Sequence, residues 1–304
     1  VTVVPPSAPT SATPLAVPSV ADVERVAAAL LGGPVWTEVL KDKPGRRRTA
    51  RVHGQAGSVI AKAYAGDRAA RVAKRVGVLA DGPDRPVVPQ LRAVDADLGV
   101  VLLDDVVGAP LSTSLEAGDV AAVRRAAQAL AGWHTAWAGR VVALQPHTVE
   151  RERRALQRQA ELAPTTLGAA ALRAAEPGLQ TPWPAPTVVH RDLYEEQILT
   201  GETTALIDLD DIALGPPELD VGNALGHLLL RDTRGGSTAV SEATGAFLHG
   251  YGLSGRLDPE RLARCTRLTL CRLACVHRAP DLLDLARTVT PAAISQWRDL
   301  GRGA

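Results

Sequence analysis

The chain has 304 residues, 46% of them hydrophobic and 22% charged, proportions of a globular protein rather than of a disordered or fibrous one. Its 34 Lys and Arg against 33 Asp and Glu leave a formal net charge of +1, so it lacks the broad basic field of a nonspecific nucleic-acid binder. The cysteines, all between Cys265 and Cys275, make no disulfide framework and fit a reducing cytoplasm. With no run of eighteen apolar residues, neither a membrane span nor a signal peptide is expected.

Residues 1–18, uncharged and rich in Pro, Ser, Thr and Ala, read as a flexible leader. Ser19, with Asp22 three residues on, caps a helix whose apolar positions Val23, Val26, Ala27 and Leu30 repeat at helical spacing until Gly32 and Gly33. From Val35 to Tyr64, short β-rich runs separated by turns at Pro44-Gly45 and Gly54 to Gly57 predict an antiparallel meander. A helix from Arg68 to Leu79 and two strands, Val87 to Val94 and Val100 to Leu103, complete an N-lobe over 19–107.

After Gly108 the texture becomes helical. Val120, Val123, Ala127, Leu130, His134 and Trp137 share one face, on which His134 reads as a satisfied core histidine. Helices follow at Val149 to Leu162 and Thr166 to Ala175. Past a Pro-rich break come two short apolar runs, Val188-Val189 and Ala205 to Leu209, and the remainder to Trp297 is mostly helical. The segment 108–304 is a C-lobe, and strands first with helices afterwards predict an α+β chain of two lobes with a cleft between them.

The informative stretch is His190-Arg191-Asp192 to Gln197, followed by Asp208-Leu209-Asp210-Asp211. An Asp after a short buried run, an amide five residues later and a second Asp at the end of another run can converge on one metal. Hard oxygen donors suit Mg²⁺ shared with phosphate, and a carboxylate beside it can take the proton of an attacking hydroxyl. Upstream, Lys62 lies inside the apolar run Val59 to Tyr64, where a buried ammonium is costly unless anions meet it.

These motifs resemble the catalytic and metal loops of the protein-kinase-like superfamily, in its aminoglycoside phosphotransferase and choline kinase branch. The tail Gly215-Pro216-Pro217-Glu218-Leu219-Asp220-Val221-Gly222-Asn223 is similar to that branch's segment after the metal loop. The resemblance implies the two-lobed kinase-like fold, Asp192 as catalytic base, and Asp208 and Gln197 as Mg²⁺ ligands. It also implies Lys62 on the α- and β-phosphates of ATP, and backbone groups near Asp104 and Val106 against adenine. Three departures stand out: Gln197 replaces the usual Asn, no Glu lies between Lys62 and Glu116, and Lys43 to Arg48 stands in place of a Gly-rich loop.

The expectation is an ATP- and Mg²⁺-dependent cytoplasmic phosphotransferase acting on a hydroxyl of a small molecule or natural product, with no nucleic-acid or membrane partner. Alternatives are a kinase of Ser/Thr hydroxyls in a biosynthetic peptide and an impaired, pseudokinase-like binding module. From Gly255 to Ala304, nine Arg against five acids temper a polycationic acceptor, although Glu218, Asp281 and Asp284 offer local acids.

Overall fold

The computed structural model describes residues 16–82, 86–236 and 240–302. Most of the expected leader, 1–15, lies outside them. The chain divides into two compact units. One runs to Gly82 and resumes at 88–107; the other takes the short stretch ending at Val87 and everything from Gly108 onward.

The first unit opens with α1 (Val20–Leu31), started by a capping box in which Ser19 and Asp22 satisfy each other's amides. β1 (Trp36–Lys43), β2 (Arg47–Gly54) and β3 (Gly57–Tyr64) follow as hairpins. Next come α2 (Arg68–Gly77), β4 (Leu91–Asp95) and β5 (Val100–Asp104). The strands form one antiparallel sheet in the order β1-β2-β3-β5-β4. Alternation along β3 puts Val59, Ala61 and Ala63 into a core with Val23, Ala27 and Leu31 of α1, so Lys62 projects from the opposite face.

The strand expected to start at Val87 starts instead at Leu91. Pro89 offers no amide to a ladder, and Val87 is bonded within the second unit, to which it belongs, donating to the Thr204 carbonyl at 3.0 Å and accepting from Leu206 at 2.9 Å.

The second unit is mainly helical. β6 (Ala109–Pro110) leads into α3 (Leu111–Glu116), α4 (Val120–Trp137), α5 (Val149–Leu162) and α6 (Thr165–Ala175). Four short strands come next: β7 (Thr187–Val189), β8 (Ile198–Thr200), β9 (Ala205–Leu206) and β10 (Ala213–Gly215). They pair as β7 with β10 and as a β6-β8-β9 ladder. The chain then runs through α7 (Glu218–Arg234), α8 (Glu242–Ser254), α9 (Pro259–His277), α10 (Asp281–Thr288) and α11 (Pro291–Leu300). Trp133 and Trp137 of α4 are buried edge to face, and the Trp133 indole donates to the Val188 carbonyl at 3.0 Å. That bond ties β7, just ahead of His190, to the helical core. Among the described residues no helix is long and apolar enough to cross a membrane.

Helices α7 and α9 touch at backbone range because α7 carries small residues at the crossing. A methyl added at Gly222 would lie 2.7 Å from Cys265 Cβ and 2.8 Å from the Thr266 amide nitrogen. Gly222→Ala is therefore expected to destabilise the protein by about 1–3 kcal/mol through overpacking. An unchanged denaturant midpoint would show that the crossing has slack.

Candidate active site

Asp192 lies in the loop after β7, and one buried carboxylate organises that loop. Asp220, in the first turn of α7 and 0% exposed, accepts from the amides of His190 and Arg191, both at 2.7 Å. It also pairs with His134 Nε2 at 3.0 Å. Burial alone would raise the Asp220 carboxyl. The His134 hydrogen bond, with the nearby His134 and His190 rings and the His190 amide, holds it below its ordinary value. His134 Nδ1 is 2.8 Å from the Tyr251 hydroxyl, which burial and the Glu218 and Asp220 carboxylates push upward, keeping it a donor. His134 is thus the satisfied core histidine expected from its helix face.

Arg191 holds a left-handed backbone, φ 75°, strain of about 1–3 kcal/mol for a residue with a side chain. The paired amides on Asp220 over-determine it. Two further bonds join this loop to the segment around Asp208. The Arg191 guanidinium donates to the Asp211 carbonyl at 3.1 Å, and His190 Nε2 meets the Ile207 carbonyl at 2.7 Å.

Gln197, 6% exposed, closes a short turn by donating its amide to the Tyr194 carbonyl at 2.9 Å, and its own carbonyl accepts from Ile207 at 3.0 Å. Its side-chain Nε2 reaches Asp208 Oδ2 at 3.4 Å. Asp208 is left-handed, φ 60° and ψ 46°, a region that Asp tolerates better than most residues. The Asp192 side chain is open to solvent yet has charged and packed neighbours. Desolvation raises its carboxyl, Arg272 and His190 oppose the rise, and Asp208 and Asp211 add to it. A carboxylate so raised is a better proton acceptor than a free one.

Among the described residues no group of three or more His, Cys, Asp or Glu side chains could hold a metal by itself. The oxygens of Asp208 and the Gln197 amide nevertheless fit Mg²⁺, which takes one or two protein oxygens and leaves its other positions to water and phosphate. A half-turn of the Gln197 amide presents oxygen where nitrogen now points. The three cysteine thiols are buried on α9, which leaves them to packing.

The remaining expected residues lie in the first unit. Lys62 is 4% exposed in the middle of β3, opposite Thr49 and Val101. Asp104 ends β5; its amide donates to the Gln90 carbonyl at 3.0 Å, and its carboxylate takes the Gln90 amide and Arg92, both at 3.1 Å. Asp105 accepts from Arg51 at 2.8 Å and Ser58 at 2.7 Å, which fixes the stretch leading to the half-buried Val106. Asp67, the first acid after Lys62, is exposed and pairs with Arg71 at 2.5 Å. Arg48, in the stretch that stands in place of a Gly-rich loop, is engaged by Asp42 at 2.8 Å and by the Pro18 carbonyl at 3.0 Å.

Sequence reasoning missed a second polar group beside the loop that carries Asp192. His147 pairs with Glu152 at 2.8 Å, and these two, with Arg191, Asn223 and Arg272, line a cavity of about 10 Å³. Burial would raise Glu152, but His147 and the Arg272 and Arg191 charges hold it low. His147 and Glu152 lie five residues apart, but Arg191, Asn223 and Arg272 come from another loop, α7 and α9, and no local spacing links them to that pair.

The model of the phosphotransferase enzyme family matches residues 39–265. No curated protein matches the chain. Among solved structures it is similar to an aminoglycoside-3'-phosphotransferase of type VIII, with 21% identity over 83% of this chain and 98% of that one and a TM-score of 0.61. A thermostable mutant of the aminoglycoside phosphotransferase APH(4)-Ia, in a ternary complex with ADP and hygromycin B, matches at 14% identity over 93% and 99%, TM-score 0.53. A choline kinase from Cryptosporidium parvum Iowa II matches at 13% identity over 87% and 89%, TM-score 0.55. At these identities the likeness is one of fold, the protein-kinase-like α+β fold with an antiparallel sheet followed by a helical unit. The family match runs from β1 into α9 and includes the whole constellation from His190 to Asn223, so the chain belongs to the phosphotransferase enzyme family.

Proposed function

We propose that this phosphotransferase moves the γ-phosphoryl group of ATP, with Mg²⁺, to a hydroxyl of a small molecule. The observation that carries the proposal is the Gln197–Asp208 contact at 3.4 Å, within the same bonded loop system as Asp192. Bound there, Mg²⁺ would neutralise charge on the β- and γ-phosphates. Asp192 orients the acceptor hydroxyl and takes its proton as the oxygen–phosphorus bond forms and the bond from the γ-phosphorus to the β–γ bridging oxygen breaks, leaving ADP. Lys62 holds the α- and β-phosphates, its buried ammonium offset by their charge. The backbone at Asp104 and Val106 meets adenine; at Asp104 the carbonyl serves, since the amide is committed to Gln90.

The acceptor is neutral or anionic. A polycation needs an acidic wall. Glu218 cannot supply it, being 2% exposed and bonded to the Asp258 amide at 2.7 Å; Asp284 is paired with Arg287, and Asp281, exposed at the start of α10, is a single acid rather than a wall. The strongest side-chain charge acting on Asp192 is that of Arg272.

Thermal unfolding with ATP and Mg²⁺ tests the nucleotide site. At a hundred times Kd the ligand adds about 2.7 kcal/mol, a rise of a few degrees, expected to vanish with EDTA or in Asp208→Asn. ADP release across anionic, neutral and polycationic hydroxyl compounds then tests the acceptor. No shift with ATP would overturn the nucleotide assignment, and a preference for the polycations would overturn the acceptor class alone.

A further inference from the structure

Arg272 sits in the last turns of α9, beyond the stretch that the family model matches. Its guanidinium donates to Asn223 Oδ1, and the same oxygen receives the Thr269 hydroxyl at 3.4 Å. The other end of that amide, Nδ2, donates at 2.8 Å to the carbonyl of Leu193, the residue after Asp192. One amide therefore joins α9 to the catalytic loop, and each of its polar atoms has a defined partner. The join is short because Gly222, the neighbour of Asn223, lets α9 approach α7 at backbone range.

A half-buried guanidinium that hydrogen-bonds a neutral amide rather than a carboxylate is a costly way to fill space. An apolar side chain of similar length packs at less desolvation cost. The charge is balanced at longer range by Glu152 and Asp192. Geometry and charge thus both point from Arg272 toward the loop rather than toward the core of α9.

We propose that Arg272 is a positioning residue for phosphoryl transfer, holding the Leu193 carbonyl through Asn223 and so fixing where the adjoining Asp192 carboxylate lies. The catalytic part rests on Asp192 being the base; the anchoring part does not. Asp220 holds the loop by the amides of His190 and Arg191, and Arg272 holds it by the carbonyl two residues later. Both sides of Asp192 are then fastened to helices.

The test uses the full chain with Arg272→Met, Arg272→Lys and Asn223→Asp. Asn223→Asp keeps acceptors for Arg272 and Thr269 but has no donor for Leu193. Two readouts are taken: amide hydrogen exchange of the peptide 187–198, and Mg²⁺-ATP turnover by ADP release with water and hydroxyl compounds as acceptors. Arg272→Met and Asn223→Asp should each speed exchange in the loop and lower kcat by up to about 10²-fold, the cost of a misplaced reacting group, with KM for ATP nearly unchanged. Arg272→Lys should recover part of both. The double variant should lose no more than the worse single one, since both cut the same link. Exchange at parental rates in Arg272→Met overturns the proposal, as does a fall in turnover that follows melting temperature without a change in loop exchange. A parent that turns over no ATP would overturn the proposed function, while the exchange result still decides the anchoring.

Discussion

Asp192→Asn is expected to lower kcat by about 10²–10⁴-fold, the range supplied by a positioned general base, and to leave the melting temperature at or above that of the parent. The second half of this expectation separates a chemical role from a structural one. The Asp192 side chain is open to solvent, and Asn has the same shape. Desolvation together with Asp208 and Asp211 outweighs Arg272 and His190 and raises the carboxyl. The sign follows: a carboxyl whose folded value lies above its unfolded one disfavours the folded state once it ionises, so at neutral pH its charge destabilises the protein. Asn removes that charge along with the proton acceptor. Turnover near the parental rate would remove Asp192 from the chemistry, and a fall in melting temperature would mean that it holds the loop instead. Such opposition between stability and activity is common where like charges are gathered for function.

Much of the fold was legible because local signals and tertiary packing agree. The Ser19 capping box, the helical face from Val120 to Trp137 and the β-rich runs up to Tyr64 each carry their own period. The start of β4 was not legible. The apolar texture of Val87 and Val88 is the same whether they pair with β5 or with another segment, and only the tertiary structure sends Val87 to Thr204 and Leu206. In the site, Asp192, Gln197 and Asp208 could be read because they lie within two neighbouring loops. The support behind them could not. His134 reaches Asp220 from 86 residues away, and Arg272 reaches Asn223 from 49. Such partners are chosen by helix packing, which leaves no spacing rule in the sequence.

Asp220→Asn should cost more stability than any other single change in this site, about 3–5 kcal/mol if it behaves as a broken buried pair. The carboxylate is surrounded by donors: two backbone amides and a histidine ring, all within 3.0 Å. An amide side chain offers them one oxygen and turns an N–H toward at least one N–H, which leaves a buried donor unpaired. The damage should reach function, because the amides released belong to His190 and to Arg191, whose backbone stands at φ 75° while its amide is bonded to Asp220. The pH dependence has a definite direction. Asp220 is held below its ordinary value, so its contribution is complete above the unfolded carboxylate pKa of about 3.9 and is lost as pH falls through the lower, folded value. The stability gap between parent and Asp220→Asn should be constant from pH 8 down to about pH 5 and narrow in stronger acid. Urea unfolding across that range measures it. A gap that widens in acid, or one already absent at neutral pH, would show that Asp220 is not the charged anchor of the loop. Tyr251→Phe is the companion measurement: it removes the donor on His134 Nδ1 while leaving the carboxylate in place, so it should cost only about 1 kcal/mol and leave the loop bonds intact.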